Sequence, residues 1–199
     1  MKTRMKSGDR KAVIVRAAIR LFAEKGFRGT TTRELAAAAG ITEPVLYQHF
    51  RNKRDLYSAI IELQAGVFGE HAAEVLKLAA GDDDRAFFHA VGGLILARFA
   101  SNPDIPRLLL FSSLERHELA ELFFERISAG FQKLVAAYIR RRERQGAFRK
   151  VRADVAARGF IGMISYHGMF GLLLPKRFGK PGKRLVEELT ALFLEGLAR

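Results

Sequence analysis

The 199-residue chain has no cysteine and only five prolines. Without thiols there is no disulfide framework and no thiolate metal site, a composition compatible with a reducing cytoplasm. Few prolines, and no alternating apolar runs bounded by turn signals, argue against a β architecture. A membrane-length apolar run is missing too. The longest weakly polar stretch, residues 159–174, is interrupted by Ser165, Tyr166, His167 and glycines, short of the ~20 apolar residues a span requires. Met1 to Lys11 is polar and basic with no apolar core behind it, so no signal peptide is expected. No serine–histidine–aspartate order, glycine-rich phosphate loop or paired buried carboxylate stands out. An enzyme reading therefore has no site to point to, and no metal or other cofactor is expected.

What is present is apolar residue, 49% of the chain, enough for a folded core, together with a large excess of positive charge. The net charge is +13. Residues 1–56 hold 13 Lys/Arg against 5 Asp/Glu, whereas residues 57–199 hold 21 against 16. More than half of the excess thus lies in little more than a quarter of the length. A basic field of this kind attracts polyanions, of which DNA is the commonest in a bacterial-type cytoplasm.

The periodicity is helical throughout. Asp9 can cap a first helix running to about Lys25, with Ile14, Ala17, Ala18, Leu21 and Phe22 on one face, and Gly26 can end it. A second helix is expected over 33–39, started by Thr30 or Thr31 and ended by Gly40. Thr42 caps a third, to about Phe50, with Pro44 in its first turn. Asn52 caps a long fourth helix over 53–80. Asp82, Asp83 and Asp84 suit the start of a fifth, over 85–100; they resemble a metal cluster, but no further ligand is nearby. Short helices over 103–115, long ones over 118–145, 153–174 and 183–198, and a loop at 175–182 complete the pattern.

Residues 31–50 read as a helix-turn-helix. Ala36 and Gly40 are small where two helices cross closely, and Leu35, Ile41, Leu46 and Phe50 can pin the pair to the first helix. Glu43, Pro44, Val45, Tyr47, Gln48 and His49 remain for the outer face of the third helix. Glu43, Gln48 and His49 can hydrogen-bond base edges in the major groove, and Val45 can meet a thymine methyl. Tyr47, Lys53, Thr31 and Thr32 are better placed for phosphates.

From Ile14 to Leu56 the chain resembles the N-terminal domain of the TetR family of one-component repressors. Residues 14–27 (IVRAAIRLFAEKGF) resemble that family's first helix, and Thr31-Thr32-Arg33-Glu34-Leu35-Ala36, Ala39-Gly40-Ile41, Leu46-Tyr47-Gln48-His49-Phe50 and Asn52-Lys53-Arg54-Asp55-Leu56 follow without a gap. The resemblance implies that Thr31 and Lys53 anchor phosphates, Arg33 reaches a base or phosphate, and Tyr47 and His49 grip the backbone. It makes Glu43, Pro44, Val45 and Gln48 the sequence-reading positions. Two departures bear on which operator is read: Thr32 stands where most members have an apolar residue, and Pro44-Val45 replaces the usual Gly/Ala-Thr. Beyond Leu56 the likeness is one of length and helical layout.

The remainder is rich in phenylalanine. Any one ring fits ordinary core packing; as a set on helices they suggest a pocket for an apolar or amphipathic molecule, with Phe88, Phe99, Phe111, Phe131, Met163, His167 and Phe170 as candidate effector contacts. In the helix over 153–174, Ala156, Phe160, Met163, His167, Phe170 and Leu174 form one stripe. Val155, Gly159, Gly162, Tyr166, Met169 and Leu173 form another. The first is expected to face the protomer's interior. The second, whose glycines permit a close helix crossing, is expected to face a second subunit: Gly159, Gly162, Tyr166, Met169, Leu189 and Phe193 are the candidate dimer contacts.

His117, Glu121 and Glu125 recur every four residues, but a zincin's second histidine is absent and a solvated charged face is expected. Arg140 to Arg144, with Arg149, Lys150 and Arg152, fits a basic helix end or, as a sharper alternative, a site for an anionic ligand such as a coenzyme A thioester.

The expected protein is all-α, with about nine helices. A three-helix DNA-binding domain over 1–52 precedes an effector-binding and dimerisation domain over 53–199. It is expected to be cytoplasmic and to act as a homodimeric transcriptional repressor. A small, largely apolar effector would release it from a palindromic double-stranded DNA operator. A nonspecific nucleoid-type DNA binder is the alternative.

Overall fold

The computed structural model describes residues 7–115 and 118–198, which are helical throughout, with no strand among them. Three helices come first: α1 (Ser7–Lys25), α2 (Thr32–Ala38) and α3 (Glu43–His49). They are followed by α4 (Lys53–His71), α5 (Ala73–Ala79), α6 (Asp84–Ser101), α7 (Asp104–Leu114) and α8 (Glu118–Phe123). A π-helical turn over Phe124–Ser128 leads into α9 (Ala129–Arg144); α10 (Ala153–Leu173), the short α11 (Pro175–Phe178) and α12 (Lys183–Leu197) complete the chain.

Several of these segments depart from the pattern-based expectation. The helix expected over 53–80 is interrupted at Ala72, where ψ relaxes to −9° and a new helix starts without a side-chain cap. The helix expected over 118–145 contains the π turn. The short helices expected over 103–115 are one helix, α7, with Pro106 in its first turn, where the missing N–H is not needed. α1 begins at Ser7, so Asp9 lies inside it.

The chain divides into two compact units, one of residues up to Gly66 with 104–126, the other of 67–103 with 127 onward. The expected boundary at residues 52/53 left α7 with the second part, whereas α7 packs along α1. In the first unit, α1 buries Ile14, Val15, Ala18, Ile19 and Phe22 on one face. Phe22, Phe27 and Tyr57 form an aromatic triangle with ring centroids 5.5–6.0 Å apart. Tyr57 and Ser112, both buried, share a 2.6 Å hydrogen bond that ties α4 to α7. Burial pushes the Tyr57 phenol up to about 12, only partly offset by Ser112. Gly26, at φ +72°, turns the chain out of α1 in a conformation that a Cβ would strain.

In the second unit α6 is the central helix, buried on nearly all sides through Phe87, Phe88, Val91, Leu94, Ile95 and Leu96, as expected for a helix enclosed by others. α5, α10 and α12 pack around it, and α9 reaches it through Tyr138. Phe87 stacks on Tyr138 at 3.7 Å, and Phe88 meets Phe160 and Phe193 edge-on or tilted at 4.9 and 5.0 Å. Phe87, Phe88 and Phe160 are fully buried, and each contributes about 2–3 kcal/mol by transfer alone. α12 approaches α6 closely at Gly92, where a Cβ would lie 2.6 Å from Val186.

The acidic run 82–84 is fully used within this unit. Asp83 caps α6 by accepting from the Ala86 N–H at 2.9 Å. Asp84 accepts from Arg142 and from the Tyr138 hydroxyl at 2.7–3.0 Å, and Asp82 pairs with Arg141 at 2.6 Å. Arg141 holds the Asp82 carboxyl below its ordinary value. Two arginines of the basic block are thereby committed to the protein itself. His117 lies outside the described residues, so the expected His117–Glu121–Glu125 face is not placed.

Candidate nucleic-acid interface

The helix-turn-helix is built from α2 and α3. Thr31 caps α2 in a reciprocal capping box: its hydroxyl accepts from the Glu34 N–H at 3.2 Å, while Glu34 accepts from the Thr31 N–H at 2.9 Å. Lys25, at the end of α1, adds a 2.5 Å ion pair to Glu34. Lys25 first, and Thr31 second, hold the Glu34 carboxyl down to about 2. The turn is closed by Gly40 at φ +67°, with the Gly40 and Ile41 N–H groups donating to Ala37 and Ala36. Leu35, Ala36, Leu46, Phe50 and Leu56 are buried beneath the pair.

α3 starts at Glu43 with Pro44 in its first turn; Thr42 occupies the cap position but makes no side-chain capping bond. Its solvent face carries Pro44, Tyr47 and Gln48, all exposed, with Glu43, Val45 and His49 half-buried at its margins. Thr31 and Arg33, on α2, are exposed as well. Donors, acceptors and one branched apolar side chain therefore share one helix surface, the set needed to address base edges and phosphates.

Two contacts were not evident from the sequence. The Thr32 hydroxyl donates to Glu43 Oε1 at 2.7 Å, and the Tyr47 hydroxyl donates to Thr32 Oγ1 at 3.4 Å. Thr32 departs from the apolar residue usual in its slot, and its partner lies eleven residues away on the next helix. Lys53 is drawn inward: its ammonium donates to the carbonyl oxygens of Phe27 and Thr30 at 2.9 and 2.7 Å and sits 4.6 Å from the centre of the Phe27 ring. Burial lowers the Lys53 pKa, partly opposed by Glu115. Lys53 thus pins the loop between α1 and α2, leaving one N–H for an outside acceptor.

In the second unit the candidate effector residues fall into different surroundings. Phe88 and Phe131 are core residues. Phe99 packs against Gly168, where a Cβ would collide with the ring. His167 and Phe170 join Tyr166 and Phe178 in an aromatic cluster at the end of α10, with centroids 4.6–5.9 Å apart. Phe111 lies on α7 and belongs to the first unit. That unit also contains a pocket of about 180 Å³ lined by Ser58, Ile61, Glu62, Ala65, Leu122 and Arg126, none of them among the effector candidates.

The core-facing seam of α10 is Ala153, Ala157, Phe160, Ile164, Gly168 and Gly171. It is rotated from the expected inner stripe, of which only Phe160 is fully buried, while Met163, His167 and Phe170 are half-buried and Leu174 is exposed. On the opposite side Val155, Gly159, Gly162, Tyr166 and Leu173 are exposed and Met169 half-buried. Beside them an open apolar groove of about 390 Å³ runs between α10 and α12, lined by Val155, Met163, Leu192 and Phe193, with Arg149 and Arg152 among its other residues. Leu192 is 61% exposed, whereas Leu189 and Phe193 pack partly against the core.

Residues 14–60 match the family described as bacterial regulatory proteins, tetR family, and residues 94–193 match the AefR-like transcriptional repressor C-terminal domain. The uncharacterised HTH-type transcriptional regulator YvkB of Bacillus subtilis strain 168 is 24% identical over 93% of this chain and 95% of its own length. Among solved structures, the transcriptional regulator FadR of Bacillus subtilis in complex with stearoyl-CoA superposes with a TM-score of 0.76 at 15% identity, covering 94% of this chain and 98% of that one. AibR in complex with isovaleryl coenzyme A and operator DNA superposes at 0.66 with 21% identity, covering 95% and 98%. At these identities the superpositions establish the fold.

Proposed function

We propose that this chain, which belongs to the TetR family of bacterial regulatory proteins, is a homodimeric repressor that a small, largely apolar effector releases from a palindromic operator. The observation that carries the reading is the surface of α3. A seven-residue helix, held by buried apolar contacts and by the Thr32–Glu43 bond to α2, presents Pro44, Tyr47 and Gln48 to solvent beside Thr31 and Arg33. Thr31, Tyr47, His49 and Lys53 would position the phosphate backbone together with Thr32, the latter through its backbone N–H at the start of α2; Arg33 would take a base or phosphate, and Glu43, Pro44, Val45 and Gln48 would read sequence.

Residues 1–52 would serve as the DNA-binding domain and 53–199 as the effector and dimer domain, with α7 bearing on α1 across that boundary. The exposed small and apolar face of α10, with Gly159, Gly162, Tyr166 and Met169, would meet its counterpart in a second copy alongside α12, where Leu189 and Phe193 lie. Two α3 helices would then enter successive major grooves on one side of the duplex. The effector would bind among the aromatic residues, from Phe88, Phe99, Phe111 and Phe131 to Met163, His167 and Phe170. Acyl chains, present in the ligands of the FadR and AibR structures, are a chemistry that such an interior accommodates. α4 contributes residues to both compact units, which suits it to carry the change. Release requires the effector to favour one conformer over the other; tight binding alone shifts nothing. Acting on DNA, the protein would work in the cytoplasm.

The excess positive charge also fits a nonspecific nucleoid-type binder. Hydroxyl-radical footprinting separates the two: protection of one palindrome on one face of the duplex supports the repressor, and uniform coverage contradicts it.

A further inference from the structure

We infer that Thr32 is a positioning residue for Glu43, and that the pair forms a cytosine-selecting corner of the interface. This rests on the operator-binding reading above and adds a base preference to it. A carboxylate among DNA phosphates is repelled, and it is an acceptor only. Its binding is favourable where a base edge offers a donor. In the major groove those donors are the exocyclic amines of cytosine and adenine. Adenine places its N7 acceptor beside that amine, facing the carboxylate with a second negative edge. Cytosine has no acceptor on its own major-groove edge, and the paired guanine O6 beside its amine is matched by the thymine O4 beside adenine's, so a fixed carboxylate favours cytosine.

Glu43 is fixed. Its Oε1 accepts from the Thr32 hydroxyl at 2.7 Å, and that hydroxyl in turn accepts from Tyr47 at 3.4 Å. Thr32 has one hydroxyl hydrogen, which goes to Glu43; the Tyr47 donation occupies a lone pair and sets the direction. The second carboxylate oxygen of Glu43 is left for a donor from outside. Glu43 and Tyr47 lie four residues apart on α3, while Thr32 is the first residue of α2. One hydroxyl therefore braces the two helices against each other and restricts the Glu43 rotamers before DNA arrives. Glu43 also suits the α3 dipole, but that role requires no contact with Thr32 and favours no base over another.

The test uses the full-length chain and selection from randomised double-stranded DNA. Titration of the selected operator then follows, with each cytosine of a half-site replaced in turn. The wild type should prefer cytosine by about tenfold at one position per half-site. Glu43→Gln and Thr32→Val should each lose most of that preference. Thr32→Ser, which keeps the hydroxyl, should retain it. Affinity for random-sequence DNA at the same salt is measured for every variant, so that the cytosine preference is read as a ratio and a general loss of phosphate contact cancels from it. If Val at position 32 prevents folding, judged by circular dichroism, Thr32→Ala reads the same contrast. Retention of the full preference by Thr32→Val or Thr32→Ala overturns the positioning role, and retention by Glu43→Gln overturns the cytosine contact. A wild type that binds without preference at any position overturns the operator reading itself, so the two failures are distinguishable.

Discussion

The helix-turn-helix and the phenylalanine-rich body are both helical, yet they are held together by different physics. In the first, two seven-residue helices are too short to be stable alone. Over a small buried seam of Leu35, Leu46 and Phe50 they are joined by a capping box, a glycine turn and polar cross-links: Lys25 to Glu34, Thr32 to Glu43, and Lys53 to the carbonyls of Phe27 and Thr30. In the second, α6 is enclosed by apolar contacts, and its polar links lie at the rim, where Asp82 and Asp84 meet Arg141 and Arg142. Directional bonds fix side-chain positions, which a base-reading surface requires. Apolar burial is non-directional and gives bulk stability.

That contrast can be broken from either side. The largest effect is expected in the body: Phe88→Ala should cost about 3–5 kcal/mol in urea unfolding, since Phe88 is fully buried against Phe87, Tyr138, Phe160 and Phe193. A loss below about 1 kcal/mol would mean that this core is not where the stability lies. In the reader, Gln48→Ala should leave stability within about 0.5 kcal/mol, because Gln48 is exposed. It should shift discrimination at one base position by about 1–3 kcal/mol; unchanged affinities across operator variants would remove it from the base-reading set.

A smaller effect sharpens the description of the first unit. Tyr57→Phe leaves the buried Ser112 hydroxyl without its partner and should cost about 1–2 kcal/mol, read from thermal melting. Lys53→Ala should weaken binding to all sequences alike and lower the salt slope by about one. It should also cost about 1 kcal/mol of stability by freeing two carbonyl groups. Lost stability with an unchanged slope would confine Lys53 to pinning the loop.

The smallest effect concerns pH. Glu34 has a carboxyl lowered from 4.5 to about 2 in the folded chain, so its contribution is complete above the unfolded value and lost as pH falls through about 2. Carbon-detected titration should place its midpoint well below 4.5; a midpoint near 4.5 would show that the Lys25 and Thr31 contacts do not persist in solution.

The same contrast governs what could be read in advance. The start of α2 at Thr30 or Thr31, the glycine turns at Gly26 and Gly40 and the Asn52 cap are local chemistry, and the sequence carries them openly. The break at Ala72 falls three residues after Gly69, which itself stays inside α4, and the π turn at 124–128 sits in an unremarkable helical pattern. The buried seam of α10 was misjudged because that helix is apolar on several sides. Periodicity cannot then choose the inner face; the chain chose the side with Gly168 and Gly171, where neighbours approach most closely. Thr32–Glu43 and Lys53–Thr30 span eleven and twenty-three residues, a reach no local pattern encodes.

The central claim is that the α3 surface reads sequence rather than charge. Its most direct test is the affinity of the full chain for its selected operator against scrambled DNA of equal length, followed across a salt series. The account predicts a ratio of roughly 10³ or more at physiological salt, persisting as both affinities fall with added salt. A ratio near one at every salt concentration would contradict it.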